Sequence, residues 1–158
     1  MFDTSKGTYR LYRLLKNTNI DVRVIRIVRD VRAFVASKKR KDITASEAAK
    51  LWQHSQASLN HVCSLFDPKR ILLIRYEDLA TNPSNYMQQI HEHLGLQAAE
   101  TSLAVDPTQH HVLSNRIRTQ GTMQIQLNEK WKTALTEREG AVALSIAGSF
   151  NRQFGYSD

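Results

Sequence analysis

Two short apolar runs organise the chain. Residues 22–28, Val-Arg-Val-Ile-Arg-Ile-Val, and residues 70–75, Arg-Ile-Leu-Leu-Ile-Arg, are rich in branched side chains and long enough for one buried strand each. Between them Thr44-Ala45-Ser46-Glu47 forms a capping box. It opens a helix over 46–66 whose apolar positions, Ala48, Leu51, Trp52, Ser55, Leu59, Val62, Cys63 and Phe66, recur every three or four residues and define one buried face. Strand, long helix and strand in that order predict a right-handed β-α-β crossover in a parallel sheet. The expected fold class is α/β with three layers, helices lying on both faces of the sheet.

The remaining pattern fills in helices. Lys6 to Asn17 can form one, with Leu11, Leu14 and Leu15 on one side, and Asp30 stands where a helix containing Ala33 and Ala36 would be capped. Asn82-Pro83-Ser84 opens a helix bearing Tyr86, Met87, Ile90 and Leu94, closed by Gly95. Asn128 can cap a helix containing Trp131 and Leu135. A second capping box, Thr136-Glu137-Arg138-Glu139, starts a helix with Ala143, Ala147, Phe150 and Phe154 on one face. Residues 97–127 show no clear period, and a loop that long is usually functional or disordered.

Length and composition narrow this picture. The 158 residues fit one domain, 1–158, with enough chain to bury a core. No apolar run approaches the roughly 20 residues needed to span a bilayer, and Met-Phe-Asp-Thr-Ser-Lys does not read as a signal peptide. The single Cys63 excludes an intrachain disulfide and a cysteine-based zinc site, and its place on the apolar helix face makes it core. His54, His61, His91 and His93 are expected to be exposed, and no metal site is expected. Residues 1–75 hold 16 Lys/Arg against 6 Asp/Glu, whereas 76–158 hold 6 against 9, so the front half suits an anionic ligand or polymer. Nucleic acid is not the expected partner, because no RNA-module signature or helix-turn-helix spacing accompanies the charge.

The chemistry gathers where the first strand ends. Arg29 stands at its carboxyl end and a helix begins beside it. Strand ends of this kind bind ligands in α/β sheets, and helix N-termini present N–H groups to anions. The Arg29 guanidinium adds a planar, permanently charged fork suited to phosphate. The bland alternative is an Arg paired with Asp30 and a solvated Ser37 on the helix.

The stretch Arg29-Asp30-Val31-Arg32-Ala33 followed by Ser37 resembles the 3′-phosphate motif of sulfotransferases that use PAPS (3′-phosphoadenosine 5′-phosphosulfate), with Val31 where the family usually has Pro. Arg75-Tyr76-Glu77-Asp78-Leu79 resembles a motif that follows a later strand in many of these enzymes. Asp3-Thr4-Ser5-Lys6 is similar to their Asp-Ser-Ser-Lys segment, and the Asn-Pro, His-Leu-Gly-Leu and Gly-Tyr stretches follow the same layout. His111-Val112-Leu113-Ser114-Asn115-Arg116-Ile117-Arg118 resembles a further segment, without its Gly. The resemblance implies a P-loop-like sulfotransferase fold in which Arg29 and Ser37 hold the 3′-phosphate of PAPS or of the product PAP. It also implies Tyr76 near the adenine, and Asn115 and Arg118 reaching the nucleotide from the opposite side. Lys6 would offset charge on the sulfuryl group and Asp3 would take the acceptor's proton. For these the alternatives are a core Tyr76, a basic loop at 111–118, and helix capping by Thr4 or Ser5 beside a surface Lys6.

The glycine loop that cradles the 5′-phosphosulfate in this family has no counterpart before Asp3. The expectation is an N-terminally truncated sulfotransferase domain of carbohydrate type with a half-built cofactor site, completed by a missing N-terminal segment or a second chain. As this fragment it is expected to transfer sulfate poorly to a hydroxyl-bearing acceptor, expected to be a carbohydrate. Two alternatives stand beside it: a non-catalytic module binding adenosine bisphosphate, and a basic nucleic-acid-binding domain. The compartment stays open between the cytoplasm and, given an anchored longer form, the Golgi lumen.

Overall fold

A computed structural model describes residues 7–39, 43–96 and 127–157. They fall into two compact units, Met1–Arg75 with Asn128–Asp158, and Tyr76–Leu127. The first contains α1 (Thr8–Lys16), β1 (Val24–Val28), α2 (Val31–Lys39), α3 (Ala45–Ser64), β2 (Ile71–Arg75), α6 (Trp131–Ala134) and α7 (Glu137–Gln153); the second contains α4 (Tyr76–Thr81) and α5 (Pro83–Leu94). The fold is α/β, as the apolar pattern predicts.

β1 and β2 pair in parallel, in a register running from Val24 opposite Ile71 to Val28 opposite Arg75. Arg75 therefore lies level with the end of β1, and Arg29 lies one residue beyond the ladder. Burial along the strands is less even than a fully covered strand would give. Val28 and Ile74 are buried, but Ile27 is 53% exposed and Leu73 45%. Among the described residues the sheet has two strands. Arg26 takes the opposite course: it is 9% exposed, inside a strand. Its guanidinium donates to Asn60 Oδ1 at 2.6 Å and to Gln56 Oε1 at 2.7 Å. It also lies 5.1 Å from the centroid of the Phe154 ring. Two charge-assisted hydrogen bonds and a ring face offset much of the desolvation that pulls its pKa down.

The core lies where α2, α3 and α7 meet β1. Val28, Val31, Val35, Ala48, Ala49, Trp52, Ala143, Ala147, Phe154 and Tyr156 form one buried cluster, with Trp52 and Phe154 edge to face at 6.1 Å. Thr44 caps α3 and Thr136 caps α7, each through a complete capping box. Small Ala side chains on α3 and α7 let the two helices approach closely, and Trp52 fills the volume beside them. The buried stripe of α3 is centred on Ala48, Ala49 and Trp52, and Leu51, expected in it, is 51% exposed. One residue from Trp52 is about 100° around the helix, which turns Leu51 off the stripe. Leu59 is half-buried.

The second unit is lighter. α5 starts at Asn82, whose side chain accepts from Asn85 N–H, with Pro83 in the first turn, and it ends at Gly95 with φ of 68°. His91 and His93, expected to be exposed, are half-buried on α5, whereas His54 and His61 are exposed on α3 as expected.

Candidate anion site at the end of β1

The strand-to-helix turn after β1 is built from side chains that cap and pin it. Asp30 is the cap residue of α2: its Oδ1 accepts the Arg32 N–H at 2.7 Å, and its carbonyl accepts the Phe34 N–H at 3.1 Å. Asp30 is buried, and the Arg32 guanidinium pairs with it, Nη2 to Oδ2 at 2.7 Å. Arg32 also lies 4.9 Å from the centroid of the Trp131 ring. Asp30 is thus held by its own helix, through Arg32.

Arg29 is half-buried at the carboxyl end of β1. Its Nη2 donates to the Asn128 carbonyl at 2.7 Å, tying the strand end to the start of the segment that leads into α6. Apart from the Asp30 cap, α2 carries no acidic residue in its first turn. A guanidinium at a strand end beside such a terminus is a donor set suited to a phosphate.

Ser37 is half-buried on α2, about 9 Å along the axis from Val31 by helix rise. Its Oγ donates to the Phe34 carbonyl at 2.6 Å, a local bond that a hydroxyl can exchange for an external acceptor by rotating. Arg29 and Ser37 both belong to the first unit, Arg29 two residues before α2 and Ser37 at its seventh position. Tyr76 is half-buried at the first position of α4, in the second unit. Asp3, Lys6, Asn115 and Arg118 lie outside the described residues. Among the described residues no group of three or more His, Cys, Asp or Glu could hold a metal. Cys63 is half-buried, and burial pushes its thiol up in pKa while neighbouring Arg26 pulls the other way.

Sequence reasoning passed over the residues behind the turn. Asn151 of α7 is fully buried, and its Oδ1 accepts the Val31 N–H at 3.0 Å. The Tyr156 hydroxyl donates to the Val28 carbonyl at 3.2 Å. Arg75 Nη1 donates to the Gly155 carbonyl at 2.9 Å, and Arg32 Nη2 to the Ser157 carbonyl at 2.8 Å. In the sequence Asn151 stands out only as a polar residue at the spacing of Ala143 and Ala147, which does not name its partner.

A model of the sulfotransferase family matches residues 2–100. The chain belongs to the sulfotransferase family. Solved sulfotransferase domains share its fold. The sulfotransferase domain from the Synechococcus PCC 7002 olefin synthase superposes with a TM-score of 0.70 at 20% identity, covering 97% of this chain and 56% of that one. The sulfotransferase domain from the curacin biosynthetic pathway gives 0.59 at 20% identity, covering 87% and 54%. This sulfotransferase-family chain therefore spans about half the length of the solved domains it matches. No curated protein sequence matches it. Among the described residues no helix is long and apolar enough to cross a membrane.

Proposed function

We propose that this chain binds a 3′-phosphorylated adenosine nucleotide through Arg29 and Ser37. We propose further that the protein it belongs to transfers a sulfuryl group from PAPS to a hydroxyl acceptor of carbohydrate type. The observation that carries the reading is the turn after β1: Arg29 at the strand end, directly before the capped N-terminus of α2. The described residues fit one end of such a nucleotide. Arg29 and Ser37 would hold the 3′-phosphate, and the family resemblance would add Tyr76, Asn115 and Arg118 as further nucleotide-binding residues.

When bound, PAPS would supply the sulfuryl group and PAP would be the leaving product. Asp3 would take the proton that the acceptor hydroxyl loses, and Lys6 would offset negative charge on the transferred group. The second reading is a module that holds PAP without catalysis. Labelled PAPS with a panel of hydroxyl acceptors separates the two, since turnover by this chain removes the second. The binding reading itself is tested by calorimetry with PAP and 5′-AMP. PAP should bind more tightly, and Arg29→Ala should remove most of the difference, worth about 1.5–3 kcal/mol for charge-assisted hydrogen bonds. Equal affinities for the two nucleotides in the native chain would overturn it.

A further inference from the structure

The backbone around Arg29 is pinned on both sides by one short segment that comes from the far end of the chain. Before Arg29, the Val28 carbonyl accepts the Tyr156 hydroxyl; after it, the Val31 N–H donates to Asn151 Oδ1. Val28 and Val31 are buried, as are Asn151 and Tyr156, so water cannot take over either bond. Asn151 also organises the segment it belongs to, its carbonyl accepting the Phe154 N–H at 3.1 Å and the Tyr156 N–H at 3.2 Å. Gly155, at φ of 79°, makes the reversal that brings Tyr156 back towards β1.

From this we infer that Asn151 and Tyr156 are positioning residues of the nucleotide site. They touch no nucleotide themselves; they fix where the strand stops and the helix starts, and so fix the direction in which Arg29 leaves the backbone. The inference rests on the proposed 3′-phosphate site for its functional half, while its structural half concerns the Val31 amide alone. A guanidinium fork recognises phosphate through geometry, and small displacements of such groups are costly. Asn151 works here as an acceptor: its Nδ2 has no hydrogen-bond partner among the described residues. An aspartate would keep an acceptor for the Val31 N–H but would add a buried anion beside Asp30 at the N-terminus of α2.

The test uses the whole chain as Asn151→Leu, Asn151→Asp and Tyr156→Phe, with two readouts: hydrogen exchange at the Val31 amide and the ratio of PAP to 5′-AMP affinity. Asn151→Leu should raise Val31 exchange and reduce the affinity ratio, each by about tenfold, the scale of one lost buried hydrogen bond. Asn151→Asp should keep more of the Val31 protection than Asn151→Leu while lowering the ratio, because its charge opposes the phosphate, and Tyr156→Phe should lower the ratio less than Asn151→Leu. Native-like Val31 protection or a native-like ratio in folded Asn151→Leu would overturn the inference. Should that variant fail to fold, Tyr156→Phe decides by the same ratio, an unchanged value counting against the inference. A native chain with no preference for PAP overturns the nucleotide reading and this functional role with it, whereas a native preference that survives Asn151→Leu overturns the positioning role alone.

Discussion

The ends of β1 and β2 use similar residues for different work. Each strand is an apolar run ending in Arg, Val28-Arg29 in one and Ile74-Arg75 in the other, and a helix follows both. The register sets Arg75 opposite Val28, inside the ladder, and carries Arg29 one step past it. Arg75 turns to the chain's own tail: it donates to the Gly155 carbonyl and lies 5.5 Å from the centroid of the Tyr156 ring. The helices differ as well. α4 begins at once with Glu77 and Asp78 in its first turn, whereas α2 carries no acid there beyond its cap, and Arg32 engages the cap. Acids in a first turn satisfy the helix dipole themselves and repel an incoming anion. Beyond its cap, α2 therefore carries fewer competing acids at its start than α4 does.

Substitutions should separate the two strand ends. The largest stability loss is expected from Arg75→Ala. It removes a charged donor from the Gly155 carbonyl and a cation from the Tyr156 ring, which together should cost about 2 kcal/mol. Urea denaturation measures this, and the preference for PAP should largely persist. Gly155→Ala should cost somewhat less, about 1–2 kcal/mol for a left-handed residue that gains a Cβ. That Cβ would also meet Arg75 Nη1 at 3.3 Å; a neutral result in the same denaturation assay would mean the tail reversal tolerates a side chain.

The smallest effect belongs to the far end of α2, where Lys39 reaches Glu139 at 2.9 Å. The hydrogen bond from Lys39, with others from the Thr136 backbone and hydroxyl, holds the Glu139 carboxyl down to about 2 from an ordinary 4.5. A depressed carboxyl contributes stability that is present above its unfolded pKa and lost as pH falls through its folded value. The stability gap between native and Glu139→Gln should therefore be constant above about pH 5 and shrink from there towards about pH 2. An exposed pair of this kind contributes little, so the gap should be narrow throughout. A gap that widens on acidification would contradict the assigned partners.

What could be read from the sequence was what neighbours along the chain decide. Both capping boxes, the Asp30 cap, the Gly95 stop and the pairing of the two strands follow from local spacing, and the structure has them. The position of Arg29 at a strand end was legible for the same reason, whereas Ser37 was picked out by the family resemblance. Arg26 was not legible as a buried group: its partners Gln56 and Asn60 lie 30 and 34 residues away on α3. Leu51 and Ile27 were misplaced because apolar character does not say which side of a helix or strand meets a neighbour. Asn151 and Tyr156 reach the turn across 120 and 128 residues, and no pattern near either residue announces such a bond.

The central claim is that Arg29 reads a 3′-phosphate while Arg75 serves the fold. The direct measurement is calorimetric titration of PAP and 5′-AMP into the native chain, Arg29→Ala and Arg75→Ala under one set of buffer conditions. The account predicts tighter PAP binding by the native chain, a preference that collapses in Arg29→Ala by about 1.5–3 kcal/mol and largely survives in Arg75→Ala. Equal binding of the two nucleotides by the native chain, or a preference lost in Arg75→Ala and kept in Arg29→Ala, would contradict it.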